Sequence, residues 1–319
     1  WLKPPRAQAP GVFSWTAPSA GSGRIANFFR PRPPAMQSLW MIAASLLFAC
    51  MGVCVKLASS HYSAAEIVFY RSFINLLFML VLIKARGIPV KTPLWRLHIQ
   101  RSGSGCISLM LYFYAISMLP LASAVTLSYT SPLFLAVYLV VLGKARFRAG
   151  MIFALILGFV GVILLLRPSF HADQLLGGVI GLASGMVAGL AYFNVKELGE
   201  RGEVEERIVF YFALVTTVVS AVWMAFFEFH PVDWRGAWLL LGVGTFGTLA
   251  QLVMTRAYKR GNTLVSASLA YSTVIFASLF GMFFWGETLS VGAWSAIALI
   301  VSSGVFSTWF SRVNPADQD

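Results

Sequence analysis

From Met36 onward the chain alternates long apolar runs with short polar breaks. Ten of those runs approach the roughly 20 residues a helix needs to cross about 30 Å of hydrocarbon. They predict spans at 37–57, 64–84, 102–119, 121–142, 149–167, 175–196, 207–228, 236–256, 262–285 and 290–311. Residues 1–35, rich in Pro, Gly, Ser, Ala and Arg, precede the first span, lack the apolar stretch of a signal peptide and begin with Trp where a start Met would stand. They are expected to be a disordered extension, or an overextended gene start ahead of Met36. The expected fold is an all-α polytopic membrane protein with ten transmembrane helices.

One of these runs occurs twice. "SYTSPLFLAVYLVVLGKA" (128–145) returns as "AYSTVIFASLFGMFFWGE" (270–287), about 142 residues later. Other pieces repeat in the same order: "ASLLFACMGVCVK" (44–56) lies over "SGMVAGLAYFNVK" (184–196), and "IVFY" stands at both 67–70 and 208–211. Each copy holds five spans, giving repeats at 36–168 and 175–312 with a linker at 169–174 and a tail at 313–319. Five is odd, so the second copy must enter the membrane upside down relative to the first. Inverted repeats of this kind set a solute site at the interface of the halves near the midplane, and rocking of the halves alternates its access.

Composition agrees with a bilayer setting. The chain is 58% hydrophobic and 11% charged, with a mean hydropathy of +0.76, whereas about a quarter of the residues of a soluble domain are charged. The net charge of +12 sits in short clusters between apolar runs, a topological pattern without the continuous stripe that binds nucleic acid. Of the 24 Lys and Arg residues, 20 fall on one side of the predicted topology; Lys56, Arg71, Arg167 and Arg235 make up the remainder. That asymmetry assigns both termini to the cytoplasm. It also explains the unequal ends of the repeated run: span 4 ends inside at Lys144, and span 9 ends outside at Glu287, where no basic residue is favoured.

With these residues in place the chain resembles the drug/metabolite transporter superfamily, and within it the ten-span EamA-type proteins. The resemblance covers about 36–312 and rests on "FYRS" (69–72), "LSYTSPLF" (127–134), "GGVIGLASGMVAGLAY" (177–192) and "FWGETLS" (284–290) in this order on these spans. It implies a transporter of small organic solutes such as amino acids, commonly an exporter. The family often ends span 4 as well as span 9 in Gly-Glu; here span 4 ends in Gly143-Lys144.

Arg71 is the conspicuous intramembrane charge. It lies about seven residues into span 2, roughly 10 Å below the outer helix boundary. A cation at that depth either snorkels outward beside Glu66, caps carbonyls between helices, or faces a water-filled path. Polar side chains on the spans nearest the expected interface complete the candidate substrate site: Tyr112, Tyr129, Ser131, Tyr192, Asn194, Gln251, Tyr271 and Ser272. Pro132 inside span 4 frees a backbone carbonyl for water or solute. Gly177, Gly181, Gly185 and Gly189 recur every four residues and form a ridge along span 6, suited to close packing or sliding of a neighbouring helix. Glu287 closes span 9.

No Asp or Glu falls in the middle of a predicted span, which argues against a carboxylate proton relay and for facilitated efflux or exchange. The same lack removes the natural partner of a permanent cation, so the solute is expected to be neutral or zwitterionic. The chain has no G-x-x-x-x-G-K-[ST] loop for ATP and no paired acid and base or nucleophile of an enzyme. Three cysteines in apolar runs and four scattered histidines do not make a disulfide framework or a metal set. The expected protein is an inner-membrane secondary transporter of a small organic metabolite, without cofactor, metal or nucleic-acid partner; the alternative is a membrane-embedded sensor or scaffold.

Overall fold

The computed structural model describes residues 34–144, 149–168, 174–226, 229–286 and 288–313. The expected extension up to residue 33, the linker at 169–173, Glu287 and the tail from 314 lie outside the described residues. Among the described residues there are thirteen helices and no strand. They are α1 (Pro34–Ser38), α2 (Trp40–Ala58), α3 (Ala64–Ala85), α4 (Trp95–Met118), α5 (Leu121–Ser128), α6 (Ser131–Val141) and α7 (Ala149–Leu166), then α8 (Leu175–Glu200), α9 (Glu205–Met224), α10 (Trp234–Arg260), α11 (Thr263–Leu269), α12 (Ser272–Trp285) and α13 (Val291–Val313).

Local chemistry sets several of these ends. Ser63 and Glu66 form a reciprocal capping box at the start of α3. The Asp233 carboxylate accepts from Gly236 N–H at 2.8 Å to begin α10, and the Asn262 amide oxygen accepts from Leu264 and Val265 to begin α11. Gly286, at φ 66°, closes α12 in the left-handed conformation that a residue with a Cβ resists.

Nine helical segments among the described residues are long and apolar enough to cross a bilayer, counting α1–α2, α5–α6 and α11–α12 each as one. The expected third span differs from the others. It lies on α4, which begins at Trp95, seven residues before the apolar run, and so carries Arg96, His98 and Arg101 within the helix. The 24 residues of α4 extend about 36 Å, enough to cross, but its polar first half keeps it out of the apolar set. Large apolar side chains such as Val81, Val141, Phe283 and Val291 are 70% to 87% exposed, as lipid-facing groups are.

The packing follows a pattern of exchange between halves. The most extensive contacts run between α4 and α8, α7 and α13, α2 and α10, and α3 and α9. Exchanging the first five spans for the last five turns the α4–α8 pair into α10–α2 and returns the α7–α13 and α3–α9 pairs to themselves. Likewise α5–α6 rests on α8, as α12 rests on α2.

Candidate functional site

Both copies of the repeated run are interrupted within one residue of the same place. The first breaks at Tyr129–Thr130 between α5 and α6, the second at Ala270–Tyr271 between α11 and α12. Hydroxyl-rich sequence explains the breaks, because Ser and Thr side chains compete for helix carbonyls. Thr130 Oγ1 donates to Leu127 O at 2.5 Å, Ser272 Oγ to Leu269 O at 2.6 Å and Thr273 Oγ1 to Ala270 O at 2.9 Å. Pro132, which has no N–H to offer the Ser128 carbonyl, adds to the first break; the second forms without a proline. Pro132 occupies the second position of α6, where α6 itself needs no N–H. The carbonyls of Leu127 and Ser128 face Gly185 of α8: a Cβ there would stand 2.6 Å and 3.3 Å from them. The carbonyl that Pro132 leaves without an N–H donor, that of Ser128, thus lies on the side of the glycine ridge. Gly181 and Gly189 abut the same region, Gly189 within 2.9 Å of Ser131 O by the same measure. Backbone approach this close is what the four-residue glycine spacing provides.

The two breaks bring Tyr129 and Tyr271 together, with ring centroids 6.2 Å apart. Tyr192 of α8 stacks on Tyr258 of α10 at 5.1 Å, and Tyr129 lies within electrostatic reach of both Tyr112 and Tyr192. Two guanidinium groups also reach Tyr192: Arg71 from α3 and Arg101 from α4. Arg71, Tyr112, Tyr129 and Tyr192 are half-buried. Gly247 of α10 fits beside Arg71: a Cβ at that position would come to 3.1 Å from the Arg71 Nε. Asn75 and Gln251 lie four residues beyond Arg71 and Gly247 on the same helix faces, both buried. Asn75 Oδ1 and Gln251 Nε2 have no hydrogen-bond partner among the described residues.

Arg101 is 2% exposed and packs its guanidinium over the Phe212 ring at 4.3 Å. Its Nε has no hydrogen-bond partner, and no ion pair among the described residues includes Arg71 or Arg101. A desolvated cation–π contact contributes about 2 kcal/mol, less than the roughly 2.5–3.5 kcal/mol that insertion scales assign to an arginine at the centre of a membrane helix. The expected partner of Arg71 is also engaged elsewhere. Glu66, fully buried, accepts from the backbone N–H of His230 and of Ser63, each at 2.7 Å, and stands 3.0 Å from His230 Nδ1.

A second glutamate–histidine pair lies at the other end of the helices. Glu203 Oε2 accepts from Thr92 Oγ1 at 2.6 Å and stands 3.0 Å from His98 Nε2, while Oε1 pairs with Arg207. Burial alone would raise the Glu203 carboxyl; hydrogen bonds from Thr92 and His98 and the Arg207 charge outweigh it and hold the group below the ordinary glutamate value. Around it Arg86 pairs with Glu206, Lys144 with Glu197 at 2.8 Å and Arg260 with Glu205 at 2.7 Å.

The sequence model of the EamA-like transporter family matches residues 36–167 and again 175–309. The chain belongs to the EamA-like transporter family. This EamA-like transporter is 30% identical over 272 residues to the pseudopaline exporter CntI of Pseudomonas aeruginosa, covering 83% of this chain and 95% of that one. It is 24% identical to a riboflavin transporter of Vibrio cholerae, covering 86% and 93%, and 21% identical to an S-adenosylmethionine uptake transporter of Rickettsia bellii, covering 84% and 91%. A crystal structure with 19% identity superposes at a TM-score of 0.78 over 88% of this chain and 99% of that one, a likeness of fold. The chain is thus a multi-pass membrane protein of a family whose relatives move small metabolites.

Not all of the expected site residues of this EamA-like transporter meet. Arg71, Tyr112, Tyr129, Tyr192 and Tyr271 gather, and Gln251 stands on the same helix face as Gly247 beside Arg71. Ser272 lies elsewhere, in a lateral apolar groove of about 620 Å³ bordered by α11, α12 and α13. Ser131 is buried at the start of α6 with its carbonyl against Gly189, and Asn194 is buried on α8. Arg101, Asn75 and Tyr258 join the gathering without having been expected. Arg101 was assigned to a polar connection because a cation ends an apolar run; the small residues that follow it, "SGSGC" (102–106), were the available signal for close helix packing there.

Proposed function

We propose that this protein is a ten-span secondary transporter of the bacterial-type inner membrane that moves a small, amino-acid-like organic solute by alternating access, with export or exchange as its direction. The observation that carries this reading is the meeting of Tyr129 and Tyr271 at two equivalent helix breaks, beside Arg71 and Tyr192. Two halves that meet at equivalent breaks rock about a shared site. The exchange pattern of the helix contacts and the double match of one family model support an inverted duplication with α4 as the third span. The expectation of a neutral or zwitterionic solute drew on a single intramembrane cation. With Arg101 as a second cation acting on Tyr192, the reading becomes a solute that carries at least one carboxylate, zwitterions included.

The test is mass-spectrometric uptake of a mixed metabolite panel into proteoliposomes holding the purified protein, beside empty liposomes and an Arg71→Ala variant. Selective accumulation that the variant loses is the expected result. Folded protein that moves nothing across the panel would overturn the reading in favour of a sensor or scaffold.

A further inference from the structure

Among the described residues the buried charges do not balance. The seven described carboxylates all have partners near helix ends: Glu66 with Ser63 and His230; Glu197 with Lys144 and Arg201; Glu200 with Lys144 and Lys196; Glu203 with Thr92, His98 and Arg207; Glu205 with Arg260; Glu206 with Arg86; Asp233 with Tyr62 and Gly236. None is left for Arg71 or Arg101. Each interacts electrostatically with Tyr192, from helices entered at opposite membrane faces, Arg71 about 10 Å from the start of α3 and Arg101 about 9 Å from the start of α4. A guanidinium presents a fork of N–H donors that fits carboxylate and phosphate oxygens two at a time. Arg101 is 2% exposed with an unpartnered Nε, so its fork is built into the protein and is not a surface arginine at rest.

We infer that Arg71 and Arg101 together bind a small organic solute bearing two anionic groups set apart, carboxylate or phosphate, with its body among the Tyr192 and Tyr129 rings. The solute is thereby net anionic, a narrower class than the amino-acid-like solute proposed above. This deepens the transport reading and rests on it for flux, though not for binding. Arg101 is the specificity-determining member, because Arg71 alone would suit a monocarboxylate equally well.

The experiment uses two matched probe pairs, glutamine against glutamate and glycerate against 3-phosphoglycerate. Binding is read from thermal unfolding of the purified full-length protein in detergent, and flux from proteoliposome uptake. At least one dianionic probe is expected to bind about 10-fold or more tightly than its partner. Arg101→Gln is expected to weaken that probe roughly 30-fold or more, the usual result of removing one member of a desolvated charge pair, and Arg71→Gln to do the same. Without probe, Arg101→Gln should unfold at the same or a higher temperature, since a buried charge without a partner is lost. That separates a binding arginine from a structural one. No preference in either pair, or a preference that survives both variants, overturns the inference. Anion-dependent binding without flux upholds it and overturns transport; flux of neutral solutes indifferent to Arg101→Gln does the reverse.

Discussion

The two broken spans have the same break and different supports. The α5–α6 span lies on the glycine ridge of α8, where Gly185 and Gly189 admit the backbone of residues 127–135. The α11–α12 span faces α2, and by the repeat the positions of Gly185 and Gly189 there are Ser45 and Ala49, both buried. Tyr129 keeps accessible surface, whereas Tyr271 is wholly buried and its hydroxyl has no partner among the described residues. On the proposed duplication, the hydroxyl-lined break is the shared, local feature and the packing around it is what differs. The first break has helix backbone close against glycines of α8; at the second, Gly158 and Gly304 stand close to the side chains of Tyr271 and Leu269.

That contrast can be tested most severely at the paired positions Gly185 and Ser45. A Cβ at Gly185 would stand 2.6 Å from a backbone carbonyl, so Gly185→Ala should cost about 2–3 kcal/mol through forced shifts of packed backbone. Ser45→Ala, which removes a buried hydroxyl without a partner, should instead raise stability by up to about 1 kcal/mol. Thermal unfolding in detergent measures both, and equal effects would erase the difference between the spans.

The tyrosines give the next largest signal. Tyr271→Phe should stabilise by about 1 kcal/mol because it discards an orphaned buried hydroxyl. Tyr129→Phe should leave the unfolding temperature nearly unchanged and lower solute uptake. A loss of stability at Tyr271→Phe would mean that its hydroxyl has a partner in the membrane.

Smaller effects mark the edges of the comparison. Gly178, one residue off the ridge, has nothing within 4 Å of a built Cβ, and Gly178→Ala should gain about 0.5–1 kcal/mol from reduced chain entropy. At the end of the α5–α6 span, the hydrogen bond from Lys144 to Glu197 raises the Lys144 amine above its ordinary value. A raised lysine contributes stability that is complete below the unfolded value of 10.5 and is lost as pH rises through the folded one. With Lys144 38% exposed, solvent screening leaves about 0.3–0.5 kcal/mol, which Lys144→Ala should remove equally at pH 7 and pH 9.

The periodicity of apolar runs was enough to place nearly every span, because bilayer thickness fixes both their length and their composition. It misplaced the start of α4. Trp95 to Arg101 reads as a polar connection, yet it is helical because its charges have uses inside the fold: His98 meets Glu203, and Arg101 meets Phe212 and Tyr192. The candidate site was legible through Arg71, Tyr129, Tyr192 and Tyr271, whose size and polarity at depth stand out in a sequence. The position of Ser272 in the lateral groove was not legible, because a hydroxyl near a helix break is satisfied by its own backbone and the repeat says nothing of which face it takes. The Glu66–His230 and Glu203–His98 pairs join residues 164 and 105 positions apart, distances at which no spacing rule operates.

The unpaired arginines have one further consequence, an electrical one. A charge fixed within the membrane dielectric feels the transmembrane voltage whenever it shifts along the membrane normal, by about 2.3 kcal/mol per charge per 100 mV for a full crossing. On the proposed transport cycle, with none of the described carboxylates paired to Arg71 or Arg101, any displacement of them during the return of the empty carrier would be a displacement of net charge. With a dianion seated between them the same movement is electrically silent. Membrane potential would then act on the unloaded half of the cycle alone, making the resting carrier, rather than the cargo, the element on which a cell's voltage does work.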